Sequence, residues 1–138
     1  MIVDSQGTPL VIALSPANTR DERLVKPLLN RLLDEQSSGV RRPPGMLYGD
    51  RGYGFAHIIQ AVNQMGIESM LAPRVGESPK HGSGLGTVRR VVEQTLSNLS
   101  HCRRIKLCYE KIGAHFQAFN ELAATLLCWK RLQYYRRL

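Results

Sequence analysis

Met46-Leu47-Tyr48-Gly49-Asp50-Arg51-Gly52-Tyr53 is the stretch on which the fold of this chain turns. Its first four residues are a short apolar run of strand length, and the run ends on a carboxylate followed closely by glycine. Residues 55–65 then keep a helical pattern until Gly66 stops it, and residues 68–72 form a second short strand closed by Pro73. Upstream, Ile2-Val3-Asp4, the turn-like Ser5-Gln6-Gly7 and the apolar run 9–14 read as a two-stranded hairpin. A loop over 15–20 follows. Asp21 is placed to cap a helix on which Leu24, Val25, Leu28, Leu29, Leu32 and Leu33 form one stripe. Residues 39–45, with Arg41-Arg42-Pro43-Pro44, end that helix in an extended connection.

The second half of the chain is mostly helical. Residues 76–86 hold four glycines, a proline and His81, and read as a loop. After it Val88, Val91, Val92, Thr95, Leu96 and Leu99 recur at helical spacing. A last helix spans about residues 114–131 and is apolar on most sides, so it is expected to be buried by other elements. No internal repeat is visible. Strands followed by alternating helix and strand predict an α/β fold, a short mixed sheet with helices packed on it.

Composition bounds the function. The 138 residues fit one domain, and 43% hydrophobic residues suffice for a packed core. The longest apolar run, 122–129, is too short to cross a bilayer, which takes roughly 20 residues. The first residues carry no basic segment ahead of an apolar one, so they are not a secretion signal, and a cytoplasmic protein is expected. Cys102, Cys108 and Cys128 are odd in number and lack a C-x-x-C, which fits reduced thiols. A zinc site from His101, Cys102, Cys108 and His115 would need adjacent ligands and long unequal gaps, which is not structural-zinc spacing. The net charge of +8 is uneven along the chain. Residues 1–69 carry seven basic and seven acidic side chains, and residues 70–138 carry twelve and four. Such a surplus suits a phosphate backbone, and a solubilising surface accounts for it equally well.

Two carboxylates stand where chemistry could be done. Asp50 lies at the carboxyl end of a strand, where an open α/β sheet binds its ligands. Glu93 lies mid-helix, one position past Val91-Val92, at the border of the apolar stripe. Together they could hold Mg²⁺, a hard cation that takes oxygen ligands. The bland readings are a turn residue for Asp50 and a surface helical pair with Arg89 for Glu93.

At this point the residues carry a family resemblance. Gly49-Asp50-Arg51-Gly52-Tyr53 resembles the "aDkgY" motif around the second catalytic aspartate of bacterial insertion-sequence transposases of the DDE type. Arg89-Arg90-Val91-Val92-Glu93-Gln94-Thr95 resembles their "R-x-x-VE-x-T" helix, which carries the catalytic glutamate. Val3-Asp4-Ser5-Gln6-Gly7-Thr8-Pro9-Leu10 and Ser15-Pro16-Ala17-Asn18-Thr19-Arg20-Asp21 are similar to the family's hairpin and loop, and Cys102-Arg103-Arg104-Ile105 and Tyr109-Glu110-Lys111 continue in its style. The matches run in order along nearly the whole chain.

The resemblance implies a ribonuclease-H-like fold and a triad of two aspartates and a glutamate. In the family the triad holds two Mg²⁺ ions, on the order of 4 Å apart, for DNA strand cleavage and strand transfer. Asp50 takes the second triad position and Glu93 the third, both as metal ligands. Arg89, Arg90, Arg103, Arg104 and Lys106 are the expected DNA-binding residues, contacting the backbone rather than reading sequence. His57 and His81 carry no partner pattern and are read as surface residues. Two positions depart from the wider family signature, with Gly86 in place of a Tyr and Ser100 in place of a Lys.

Asp4 matches a non-catalytic aspartate of the hairpin motif. The first catalytic aspartate of the family lies on a strand before that hairpin. Residues 1–138 are therefore expected to be a single, N-terminally truncated catalytic domain with a partial ribonuclease-H-like fold, lacking the first catalytic strand, and inactive alone. Expected partners are DNA (transposon ends and target) and the missing upstream segment or another transposase protomer, at the nucleoid of a bacterial cytoplasm. The alternative is a basic DNA-binding module derived from a transposase that does not cleave.

Overall fold

A computed structural model of the chain describes residues 1–37, 44–71 and 85–136. The expected connection over 39–43 and the loop over 76–84, with His81, lie outside the described residues. The chain forms two compact units, one of residues 1–14 and 90–138 and the other of residues 15–89.

The first unit opens with the expected hairpin. Strand β1, Ile2–Val3, pairs antiparallel with β2, Pro9–Val11, in a register that sets Ile2 opposite Val11 and Val3 opposite Pro9. The turn is built by Asp4, whose Oδ1 accepts the backbone N–H groups of Gln6 (2.9 Å) and Thr8 (2.7 Å). An Asp side chain that bonds its own backbone two residues on is an Asx-turn. Gly7 completes it at φ +78°, a left-handed conformation that glycine adopts without steric cost.

Three helices complete this unit. Helix α3, Leu85–Ser100, enters it at Arg90; a single turn, α4, spans Arg103–Lys106; and α5 runs Gly113–Tyr135. Ile12, Leu99 and Ala123 are its buried apolar cluster, with Met1, Cys102, Ile105, Ala124 and Leu127 packed around it. Gln117 of α5 ties the hairpin down: its Nε2 donates to the Ile12 carbonyl at 3.0 Å and its Oε1 accepts the Leu14 N–H at 2.9 Å.

Here the sequence expectation needs correction. Leu122, Leu126 and Trp129 of α5 are each more than half exposed, so the helix is not covered on all sides. Its inner face is lined by small and polar groups: Ala123 is buried, and buried Asn120 turns its Nδ2 back to the Phe116 carbonyl at 2.8 Å. An apolar stretch without strong periodicity does not say which face is buried. Leu96 is likewise half exposed, although it was expected in the α3 stripe; Thr95 and Leu99 are the buried members.

The second unit contains helix α1, Glu22–Ser37, strand β3, Met46–Gly49, a 3₁₀ turn at Arg51–Tyr53, helix α2, Ala56–Gln64, and strand β4, Glu68–Leu71. β3 and β4 run parallel, with Met46 opposite Glu68 and Gly49 opposite Leu71. α2 is the crossover between them. It ends at Gly66, φ +76°, the left-handed residue that commonly closes a helix. Leu28, Leu29 and Leu32 of α1 are buried, as are Ile58, Ala61 and Val62 of α2, with Ile67 and Leu71. Pro27 lies inside α1 without ending it. The molecule is thus mixed α/β, and among the described residues its strands form two separate two-stranded sheets, one antiparallel and one parallel.

Candidate functional site

Asp50 follows directly on β3 and opens the 3₁₀ turn, its carbonyl accepting the Tyr53 N–H at 2.9 Å. Its carboxylate is half exposed at the carboxyl end of a parallel strand, the position where such sheets carry their ligand-binding side chains. The residue before it has a packing role. A Cβ on Gly49 would meet Leu71 Cδ2 at 2.5 Å and Tyr53 Cδ2 at 3.4 Å, so β4 and the Tyr53 ring close directly over the backbone that presents Asp50.

Two groups in this unit feel the Asp50 charge. The Arg89 guanidinium lies 3.4 Å from Asp50 Oδ2. Both groups are more than half exposed, so the pair adds little stability. The Tyr53 hydroxyl has its pKa raised above 10.0, first by burial and then by the negative charges of Asp21 and Asp50. Sequence reasoning gave Tyr53 no role beyond its place in the motif, because Asp21 reaches it only through folding.

Glu93 lies in the other unit, exposed on α3. What fixes that helix is two residues further on. Thr95 is buried, and its hydroxyl donates to the Gly7 carbonyl at 2.7 Å in the hairpin turn while lying 3.0 Å from the Val91 carbonyl. Arg131 of α5 closes on the same turn, its Nη1 donating to the Gln6 carbonyl at 2.6 Å and to Thr8 Oγ1 at 3.0 Å. The Tyr135 hydroxyl donates to Gln6 Oε1 at 2.7 Å. Gly7 has no room for more: a Cβ there would stand 2.7 Å from Thr95 Oγ1 and 3.1 Å from Val91 Cγ1. The Asp-x-x-Gly hairpin and the Glu-x-Thr helix are thereby one construction. The two motifs were legible separately, and their contact was not, since 88 residues separate Gly7 from Thr95.

The remaining expected site residues divide. Arg90, Arg103 and Lys106 are exposed. Arg104 is exposed as well, but its guanidinium is engaged, its Nη2 2.8 Å from Glu110 Oε1 and its Cζ 4.8 Å from the centre of the Phe119 ring. At the two departures from the family signature, open space surrounds Gly86, and the Ser100 hydroxyl donates back to the Ser97 carbonyl at 2.7 Å. Asp4 is spent on its own turn. The three cysteines are free thiols. Among the described residues no three His, Cys, Asp or Glu side chains cluster as metal ligands, and no helix is long and apolar enough to cross a membrane.

The comparisons with known proteins agree with the motif reading. The family described as Transposase DDE domain matches residues 1–129. A protein of Burkholderia cepacia, inferred to be the transposase of insertion sequence element IS402, is 36% identical over 137 residues, which is 96% of this chain and 63% of that protein. The chain thus spans less than two thirds of the relative's length. No solved structure matches it. With the motifs in order along the chain and the family matching nearly all of it, the chain belongs to the DDE transposases.

Proposed function

We propose that this chain carries two of the three metal-binding carboxylates of a transposase centre that cuts and joins DNA, with Asp50 and Glu93 as the pair and a ribonuclease-H-like core as their frame. The observation that carries the reading is Asp50, set at the carboxyl end of a parallel strand in a stretch that resembles the family's motif. The donors fit Mg²⁺ in kind: carboxylate oxygens are the ligands a hard cation takes. When bound, such ions supply stabilisation of the attacking and leaving oxygens in an in-line displacement at phosphorus. The chain's own part is to hold those ions and to fix the DNA backbone. Arg89, one turn before Glu93, is suited to neutralise a phosphate or to hold the Asp50 carboxylate in place. The basic groups further on supply the sequence-independent grip.

Two carboxylates do not complete a triad, and Asp4 is committed to its turn. The chain by itself is therefore expected to bind DNA and not to cut it. Incubation of the 138-residue chain with supercoiled DNA and Mg²⁺ tests this: the expected result is retained DNA without nicking. Nicking abolished by Asp50→Ala would show instead that a third ligand is present among these residues.

A further inference from the structure

α4 is a single turn bearing three cations, and the fold gives them unequal surroundings. Beneath it, Cys102 and Ile105 pack on the cluster of Ile12, Leu99 and Ala123, so the turn is anchored by its apolar side. Arg104 is exposed too, its side chain 54% open to solvent, but its guanidinium is taken up by contacts within the fold. Its partner Glu110 has a side chain only 6% exposed, and the guanidinium that answers it lies over the Phe119 ring with Tyr109 at 5.9 Å. A carboxylate this far out of water depends on its cation, because removing one member leaves a buried, uncompensated charge. Arg103 and Lys106 are three residues apart, hence neighbours on one face of the turn, and both are exposed.

We infer that α4 is a phosphate-contacting knuckle for duplex DNA in which Arg103 and Lys106 touch the backbone and Arg104 does not. Arg104 is the positioning residue that pins the turn to α5 through Glu110 and Phe119. This rests on the DNA reading above and changes its detail: the sequence pairs Arg103 with Arg104 as equal contacts, and the geometry separates them. Two cations on an anchored turn are presented with little freedom to give up on binding, which favours contact at low entropic cost. Contacts of this kind give grip and register but no sequence preference.

The test is the salt dependence of binding to short mixed-sequence DNA duplexes by the full chain, measured beside its urea midpoint. Removing one cation from the phosphate backbone should flatten the slope of log K against log[salt] by about 0.9. Arg103→Ala with Lys106→Ala should therefore flatten it by about 1.8, alike for unrelated sequences, with the urea midpoint unchanged. Arg104→Gln should lower the urea midpoint. The paired exchange Arg104→Gln with Glu110→Gln, which removes the ion pair as a unit, should recover part of that stability and keep the wild-type slope. The inference is overturned if the paired exchange flattens the slope as much as Arg103→Ala does. It is equally overturned if Arg103→Ala with Lys106→Ala leaves the slope alone while Arg90→Ala flattens it. Absence of any salt-dependent binding by the wild-type chain would overturn the DNA reading itself, and this inference with it.

Discussion

Tyr53 offers a handle on Asp50 that needs neither metal nor DNA. Its hydroxyl titrates above 10.0 because burial disfavours the phenolate and because Asp21 and Asp50 add negative charge nearby. The sign for stability follows. A group that holds its proton more tightly when folded contributes fully below its unfolded pKa, and the contribution is lost as pH rises above 10.0 through the raised folded value. Tyr53→Phe should therefore make the unfolding free energy fall less steeply above about pH 10 than in the wild type, as read from urea midpoints across that range. Asp50→Asn should move the Tyr53 titration down toward its ordinary value, measured as the wild-type minus Tyr53→Phe difference in tyrosinate absorbance. A difference titration centred at or below the ordinary tyrosine range would refute the half-buried placement beside Asp21 and Asp50. At this scale the sequence located Asp50 at a strand end followed by a turn, while a plain turn residue remained the alternative and only the motif around it pointed to a metal ligand. It was silent on Asp21 beside Tyr53, a neighbour that sequence spacing cannot supply.

The helices show where periodicity suffices and where it fails. On α1 the apolar stripe was readable because leucines recur every third and fourth residue, and Leu28, Leu29 and Leu32 are indeed buried. α3 was readable in outline, yet its best buried member is a threonine and its Leu96 faces solvent. The reason is the hairpin turn: Thr95 is inside because its hydroxyl has a carbonyl to bond, and a leucine at that place would leave the Gly7 carbonyl unanswered. Two substitutions test this clamp. Thr95→Val should cost about 1–3 kcal/mol, the penalty of leaving a buried carbonyl without its partner, while Thr95→Ser should restore most of it. Gly7→Ala should cost about 1–3 kcal/mol for the left-handed backbone, and more for the 2.7 Å approach to Thr95. Urea unfolding measures both, and a change below about 0.5 kcal/mol, the range of an ordinary surface substitution, would refute the clamp. α5 defeated the reading because its residues are apolar on most sides. Only the packing of Ala123 and Asn120 against the fold reveals which side is inside.

For the whole molecule, the chain order of charge does not carry over to the folded units. The twelve basic residues of the second half are shared between units, and the unit of residues 1–14 and 90–138 holds nine basic side chains against four acidic ones. The other unit holds ten against seven. Both are therefore net positive, which suits a polyanion without naming the face that meets it. The elements of an α/β fold were legible in sequence, since strand and helix lengths and their stops are local. The hairpin pairing of β1 with β2 was legible too, but the parallel pairing of β3 with β4, and the division of the described strands into two sheets, was not, because that pairing joins residues across a whole helix. The central claim, that Asp50 and Glu93 hold the metal of a DDE centre, is tested most directly by Mn²⁺ binding, followed by electron paramagnetic resonance on the wild-type chain, Asp50→Asn and Glu93→Gln. The claim predicts that the wild type binds Mn²⁺, that Mg²⁺ displaces it, and that each substitution abolishes the bound signal without lowering the urea midpoint. Mn²⁺ binding unchanged in both variants would contradict it.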